Sequence, residues 1–303
     1  MLFLGGGAWG TTLAKLAKVN GHTVKLWSRS QELSLVEAVL DVDMIVSCLP
    51  MSAVASVAMK LARLDLPEQT ILLSTTKGLD PETAKPPSDC WMQLLGQHPL
   101  VILSGPNLAC EIQQGLPTAT VVASANRQAA QRVQTCFSSE RFRVYTATDW
   151  RGVELGGVLK NVIAIAAGIS DGLGLGANAR SALMTRGLAE MIQVGCHWGA
   201  QSETFFGLSG MGDLLATCHS NLSRNYQIGF ALASGKTLQQ ALETLKGTAE
   251  GVYTAPILMH YAQDVGLDVP ITEQVCAVLE GTSPPIQAFA ALMNRRLRGE
   301  SLS

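Results

Sequence analysis

The chain has 303 residues, 47% of them hydrophobic and 15% charged, which is enough for two domains with sizeable cores. Lys and Arg number 22 against 24 Asp and Glu; divided at residue 150, the halves hold 12 basic with 12 acidic residues and 10 with 12. Neither half is a basic body, so no nucleic-acid partner is expected, although a few well-placed cations can still bind a small phosphate compound. Leu2–Leu4 reads as a short strand, and 11–20 as a helix with Leu13, Leu16 and Ala17 at helical spacing. Strands follow at 23–27, 44–49, 70–74, 100–103, 118–123 and 143–145, with helices at 33–40 and 54–64 between them. The polar, proline-rich patch at 85–89 (KPPSD) reads as a surface loop. Alternating strand and helix predicts an α/β domain over 1–149, its parallel sheet covered on both faces. Beyond Asp149 the pattern becomes helical, at 152–169, 179–199, 224–234, 238–245, 253–265, 272–279 and 286–297, which makes 150–303 a mostly α-helical second domain.

No unbroken apolar stretch nears the roughly 18–20 residues that cross a bilayer, so membrane insertion is not expected. The start, MLFLGGGAWG, lacks the basic region of a signal peptide. Seven cysteines are scattered without a CxxC pair, which fits a reducing, cytoplasmic setting and offers no metal site.

The first strand leads directly into Gly5-Gly6-Gly7-Ala8-Trp9-Gly10 and a helix. This is G-x-G-x-x-G in strand–turn–helix context, the mark of a Rossmann-type, doubly wound dinucleotide-binding domain. Gly5 permits the tight turn, Gly7 lets a pyrophosphate approach the backbone, and Gly10 lets helix and strand pack closely. The pyrophosphate would sit on the free N–H groups of the helix start. The second strand ends in Ser28-Arg29-Ser30, without the carboxylate that takes the ribose 2′-hydroxyl of NAD. Arg29 suits a 2′-phosphate, which favours NADP (NADPH) over NAD; its plainer reading is a solvated turn cation.

The helix at 152–169 is apolar, and its only charges are Glu154 and Lys160. Lys160, among Val158, Leu159, Val162 and Ile163, either snorkels outward or is a functional group. Residues 152–191 (GVELGGVLKNVIAIAAGISDGLGLGANARSALMTRGLAEM) closely resemble the C-terminal signature of the NAD(P)-dependent glycerol-3-phosphate dehydrogenase family, bacterial type. GGGAWGTTLA (5–14), TTKGL (75–79), LSGPNLACEI (103–112) and GLSGMGDLLATCHSNLSRN (207–225) carry the same resemblance, in order and over nearly the whole chain.

The resemblance implies roles. Lys160 would be the general base that takes the proton of the secondary hydroxyl, and its ammonium would return it to the ketone. Lys77 would hold cofactor and substrate together. Asn161, Asp213, Thr217 and Arg224 would line the substrate site, with Arg224 and Asn225 at the phosphate and Ser223 beside them. Gly105 and Asn107 would touch the substrate, Ala109, Trp9 and Ala8 the cofactor, and Glu250 the nicotinamide side, with Arg224 within reach of the cofactor too. Read without the family, Asp213 could equally be the N-cap of a helix over 214–219.

Ser or Thr is usual in the family where this chain has Asn107, Lys where it has Cys110, and Val at Thr248; the segment before Met44 is also short. The implied reaction interconverts sn-glycerol 3-phosphate and dihydroxyacetone phosphate by hydride transfer, with NADPH-dependent reduction feeding glycerophospholipid synthesis. Alternatives are a two-domain 2-hydroxyacid or ketopantoate-type reductase and a non-catalytic NADP sensor. A homodimer is expected from apolar faces such as that of 286–297.

Overall fold

The computed structural model describes residues 1–29, 33–245 and 247–296. Ser30 of the predicted turn and Leu297 of the last predicted helix lie outside them. The first half runs β1 (Leu2–Leu4), α1 (Ala8–Val19), β2 (Lys25–Trp27), α2 (Leu35–Ala38), β3 (Met44–Ser47), α3 (Met51–Leu61), β4 (Ile71–Ser74), α4 (Pro87–Leu95), β5 (Leu100–Ser104), α5 (Ala109–Gln113), β6 (Thr118–Ala123), α6 (Arg127–Phe137) and β7 (Phe142–Ala147). The strands form one sheet in the order β2-β1-β3-β4-β5-β6-β7. Alternate residues of a strand point to opposite faces. Phe3 therefore packs with Leu13, Val46, Leu73 and Phe137 on one face, while Leu2 and Leu4 pack with Ile45, Leu72 and Trp91 on the other. Helices cover both faces, as the alternation predicts.

Two expectations need correction. The sheet is not wholly parallel, because β6 runs antiparallel to β5. The chain between them holds only the five-residue α5, too little helix for the crossover that a parallel return needs. Residues 85–89 are not all loop: α4 begins at Pro87, and Pro87 and Ser88 are buried. Proline suits a helix's first turn, and Trp91 and Leu95, four apart, fill the core beneath. α6 also escaped the sequence pattern, although Asn126 caps it by accepting from Ala129 N at 3.0 Å.

The second half is helical: α7 (Trp150–Gly172), α8 (Gly176–His197), a 3-10 turn (Ser202–Phe206), a π-helical turn (Leu208–Gly212), α9 (Asp213–Cys218), α10 (Arg224–Ala233), α11 (Leu238–Thr244), α12 (Glu250–Val265), α13 (Pro270–Leu279) and α14 (Pro285–Met293). Asp149 starts α7 by accepting from Gly152 N at 3.0 Å. α7 is 23 residues long and apolar enough to cross a membrane, which its short unbroken stretches conceal. Its most apolar 18-residue window is wholly buried, so it is the core around which the other helices pack. α10 packs directly on it: a Cβ at Gly168 would lie 2.1 Å from Tyr226 O, and one at Gly229 1.9 Å from Ile165 O.

Candidate active site

The turn after β1 fits a dinucleotide. Gly5, at φ +107°, lies so near β3's end that a Cβ would be 2.7 Å from Cys48 O. A Cβ at Gly10 would be 2.1 Å from Gly5 O. Among the described residues Gly7 has nothing within 4 Å of that position and no side chain caps the helix it begins; with Ala8 it is exposed. Two glycines close the turn and the third leaves room for a phosphate against the free N–H groups. Trp9 is half-buried against the core beside α1. Ala109 starts α5, tied to α1 by a 2.7 Å bond from Gln113 Nε2 to Thr12 Oγ1. Ser28 flanks Gly6, so Arg29, exposed at the end of β2, stands beside this turn and not with the lysines.

The segment leaving β4 is held to β3 by Thr75 Oγ1, which donates to Ser47 O at 2.8 Å, and Thr76 Oγ1, which donates to Leu49 O at 2.9 Å. Lys77 comes next, and its Nζ lies 2.6 Å from Asp213 Oδ2. Lys160 Nζ lies 2.7 Å from the other oxygen, Oδ1, and donates to Thr217 Oγ1. Thr217, one turn along α9, donates to Asp213 Oδ1 at 3.3 Å. The π-helical turn before α9 aims Asp213: a Cβ at Gly156 would be 2.6 Å from Ser209 O, so this turn rests on α7. A Cβ at Gly157 would be 3.1 Å from Lys77 Cε, so the Lys77 stem lies on α7 one turn before Lys160.

Lys160 does not snorkel; it is 7% exposed. Burial pulls its pKa down to about 8, Asp213 works against this, and the Lys77 ammonium adds to it. Asp213 is the first residue of α9 and not its N-cap, which is Gly212; both carboxylate oxygens are taken by lysines. Cys218 is buried beside this cluster, and its thiol is pushed up to about 12, which makes it inert.

Asn161, beside Lys160, and Asn225 on α10 are both buried. Asn225 Nδ2 donates to Asn161 Oδ1 and its Oδ1 accepts from Gly251 N, both at 2.9 Å. The backbone N–H can only donate, which fixes this amide's orientation. Asn225 thereby joins α7, α10 and α12. Ser223 caps α10 by accepting from Tyr226 N at 3.3 Å. Arg224 opens that helix and is exposed, and a Cβ at Gly247 would be 2.7 Å from its Nη1. Glu250 Oε1 accepts from Met51 N at 3.5 Å, and a Cβ at Gly78 would lie 3.1 Å from its Oε2. Burial raises the Glu250 carboxyl, opposed by Met51 N and by Arg224.

Gly105 follows β5 at φ +144°, where a Cβ would be 3.1 Å from Thr120 Oγ1. Thr120 Oγ1 donates to Ser104 O at 2.8 Å and accepts from Asn107 Nδ2 at 2.9 Å. Asn107 Oδ1 and Ser104 Oγ are buried without a partner among the described residues, which leaves unmet hydrogen-bonding capacity near Lys77. Thr120, which holds Asn107, is a neighbour of the site that the sequence reading does not single out.

Known proteins resemble this chain over nearly its whole length. Residues 149–290 match the family described as NAD-dependent glycerol-3-phosphate dehydrogenase C-terminus, and residues 1–35 and 31–130 match its N-terminus. A Gloeobacter violaceus protein named glycerol-3-phosphate dehydrogenase, NAD(P)+, is 64% identical over 297 residues, covering 98% of this chain and 97% of that one. One of the same name from Trichormus variabilis is 54% identical over 300 residues, with 99% and 98% covered. The crystal structure of glycerol-3-phosphate dehydrogenase from Coxiella burnetii has a TM-score of 0.92 at 36% identity, over 97% of this chain and 98% of that one. A ketopantoate reductase from Ralstonia eutropha reaches 0.57 at 15% identity, covering 95% of this chain and 100% of that one, a likeness of fold alone.

Proposed function

The chain belongs to the NAD-dependent glycerol-3-phosphate dehydrogenase family, and from that premise we propose how its residues interconvert sn-glycerol 3-phosphate and dihydroxyacetone phosphate with NAD(P)(H). Residues 1–149 take the dinucleotide, and 150–303 are the substrate and catalytic domain, with Lys77, Gly105 and Asn107 reaching the substrate from the first. The observation that carries the reading is a buried carboxylate, Asp213, clasped between Lys160 and Lys77.

Bound nicotinamide supplies or accepts the hydride. The chain must place the reacting carbon and move one proton. In reduction the Lys160 ammonium donates to the ketone oxygen; in oxidation the neutral amine takes the hydroxyl proton. A pKa near 8 lets one group do both close to neutral pH. Asp213 and Thr217 orient that amine, and Lys77 adds positive charge where oxygen gains negative charge. Arg224 offers a planar fork to the phosphate at a helix start that also favours an anion. Gly105 and Asn107 touch the substrate, Asn161 lines its site, and Asn225 stands with Arg224 at the phosphate, with Ser223 beside them. Gly5, Gly7, Ala8, Trp9, Gly10 and Ala109 receive the cofactor, with Glu250 on its nicotinamide side.

The physiological direction is NADPH-dependent reduction for glycerophospholipid synthesis, in the cytoplasm. The protein acts as a homodimer, with Ile286 and Met293 of α14, 54% and 69% exposed, in the interface. The test follows NADPH absorbance as dihydroxyacetone phosphate is added. Rapid oxidation is expected with the phosphate ester and little with dihydroxyacetone itself; equal turnover of the two would reject the reading.

Cofactor choice follows Arg29. Arg29→Ala should weaken NADPH about tenfold to a hundredfold, the loss of a charge-assisted contact worth roughly 1.5–3 kcal/mol. NADH should bind as before, because it brings no 2′-phosphate to that side chain. An unchanged NADPH/NADH ratio of KM values would remove the preference for NADP.

A further inference from the structure

Glu154 has no part in the chemistry above, yet it is 2% exposed in the same helix as Lys160. Its Oε1 accepts from Ser88 N at 3.0 Å and its Oε2 from the Ser88 hydroxyl. Ser88 is the second residue of α4, whose N-cap is Pro86 and which has no cap from its own segment. A proline side chain cannot accept from the free N–H groups of a helix start, and the carboxylate from α7 does so in its place. One turn earlier on α7, Arg151 pairs with Asp89 of α4 at 2.7 Å.

The chain between β4 and α4 is thus fastened to the helical half at several points. Lys77 is held by Asp213, Leu79 is buried in the core around α7, and Ser88 is held by Glu154. Between them Asp80 Oδ1 closes a tight turn by accepting from Glu82 N at 3.2 Å and Thr83 N at 2.9 Å. We propose that Glu154 is a positioning residue: by capping α4 it fixes the strap of residues 75–88 to α7 and so sets Lys77 beside Asp213 and Lys160. The inference rests on the two lysines forming the reaction centre.

Burial pushes the Glu154 carboxyl up to about 7, against the Ser88 bonds and Arg151, with Asp89 adding to the rise. Either protonation state can accept from Ser88 N, so the cap persists through neutral pH. The hydrogen bonds, not the charge, hold the strap, and Gln can replace Glu.

The test compares Glu154→Ala and Glu154→Gln in the full chain. Glu154→Ala should raise the KM for dihydroxyacetone phosphate about tenfold or more. It should also move the alkaline limb of the reduction profile part of the way toward the ordinary lysine range: burial still lowers the Lys160 pKa, but the lesser lowering by the Lys77 charge is lost. Glu154→Gln should restore both. Acetic anhydride labelling of Lys77, read by peptide mass spectrometry, should be faster in Glu154→Ala than in the wild type or Glu154→Gln. The labelling needs no turnover: a wild type inactive on this ketone would reject the reaction while leaving the strap to be judged by labelling. If Glu154→Ala lowers only the Tm, with KM, limb and labelling unchanged, Glu154 is a plain helix cap and the proposal falls. Should that variant not fold, Glu154→Leu keeps much of the volume and removes both bonds to Ser88; unaltered Lys77 labelling there overturns the proposal equally.

Discussion

Lys160→Met should fold, bind NADPH, and lose about 10²–10⁴ in kcat, the usual contribution of a positioned acid or base. Met keeps the stem volume within the packed core of α7 and removes only the ammonium. The nucleotide turn lies on another sheet-and-helix unit, so cofactor affinity should survive. The pH profiles make the test specific. With the Lys160 pKa at about 8, kcat/KM for oxidation should rise as pH passes that value, because the neutral amine is the base. For reduction it should fall over the same interval, because the ammonium is the acid. Both limbs should vanish in the variant. Near-normal turnover in Lys160→Met would move the proton donor to Lys77 or an ordered water.

Arg224→Ala should raise the KM for dihydroxyacetone phosphate about 30–150-fold and change kcat less. The side chain is exposed, so its loss sits toward the lower end of what a desolvated charge pair costs, about 2–3 kcal/mol. The α10 start and its Ser223 cap remain and should retain some anion affinity. Arg224→Lys should recover part of the loss through charge alone, since an ammonium lacks the planar fork. A KM unmoved by Arg224→Ala would place the phosphate elsewhere, most simply at Lys77.

Much of this was legible in the sequence because local rules and tertiary demands agree. The β1–α1 turn could be read from glycine spacing because strand, turn and helix follow one another without a gap, although the atom that Gly5 makes room for, Cys48 O, lies on a distant strand end. α7 could be read from its high apolar content, which only Glu154, Lys160 and Asn161 interrupt between 152 and 169. The reversal of β6 could not, because strand direction depends on how the intervening chain returns, and TATVVA has no direction in its pattern. α4 was hidden because its first turn looks like a loop: the partner that satisfies Ser88 N lies 66 residues away on another helix. Lys160 showed the opposite limit. Its neighbours fit a snorkelling lysine as well as a buried one, and only Asp213 and Thr217, folded in from α9, decide between them. Asp213 itself reads equally as a cap until both lysines are seen on it.

The main-chain contact between α7 and α10 has a consequence for what the enzyme can accept. Where Gly168 meets Tyr226 O and Gly229 meets Ile165 O, no side chains remain to be traded for larger or smaller ones. The spacing between the helix bearing Lys160 and the helix bearing Arg224 is therefore a property of backbone thickness. Asn161 and Asn225 set its register a turn away. Such a gauge reads length: a phosphorylated ketone with one carbon more or fewer would reach the fork with its carbonyl out of line with the amine. Small steps of mutation cannot reset it, since even a methyl group at either glycine must push two helices apart.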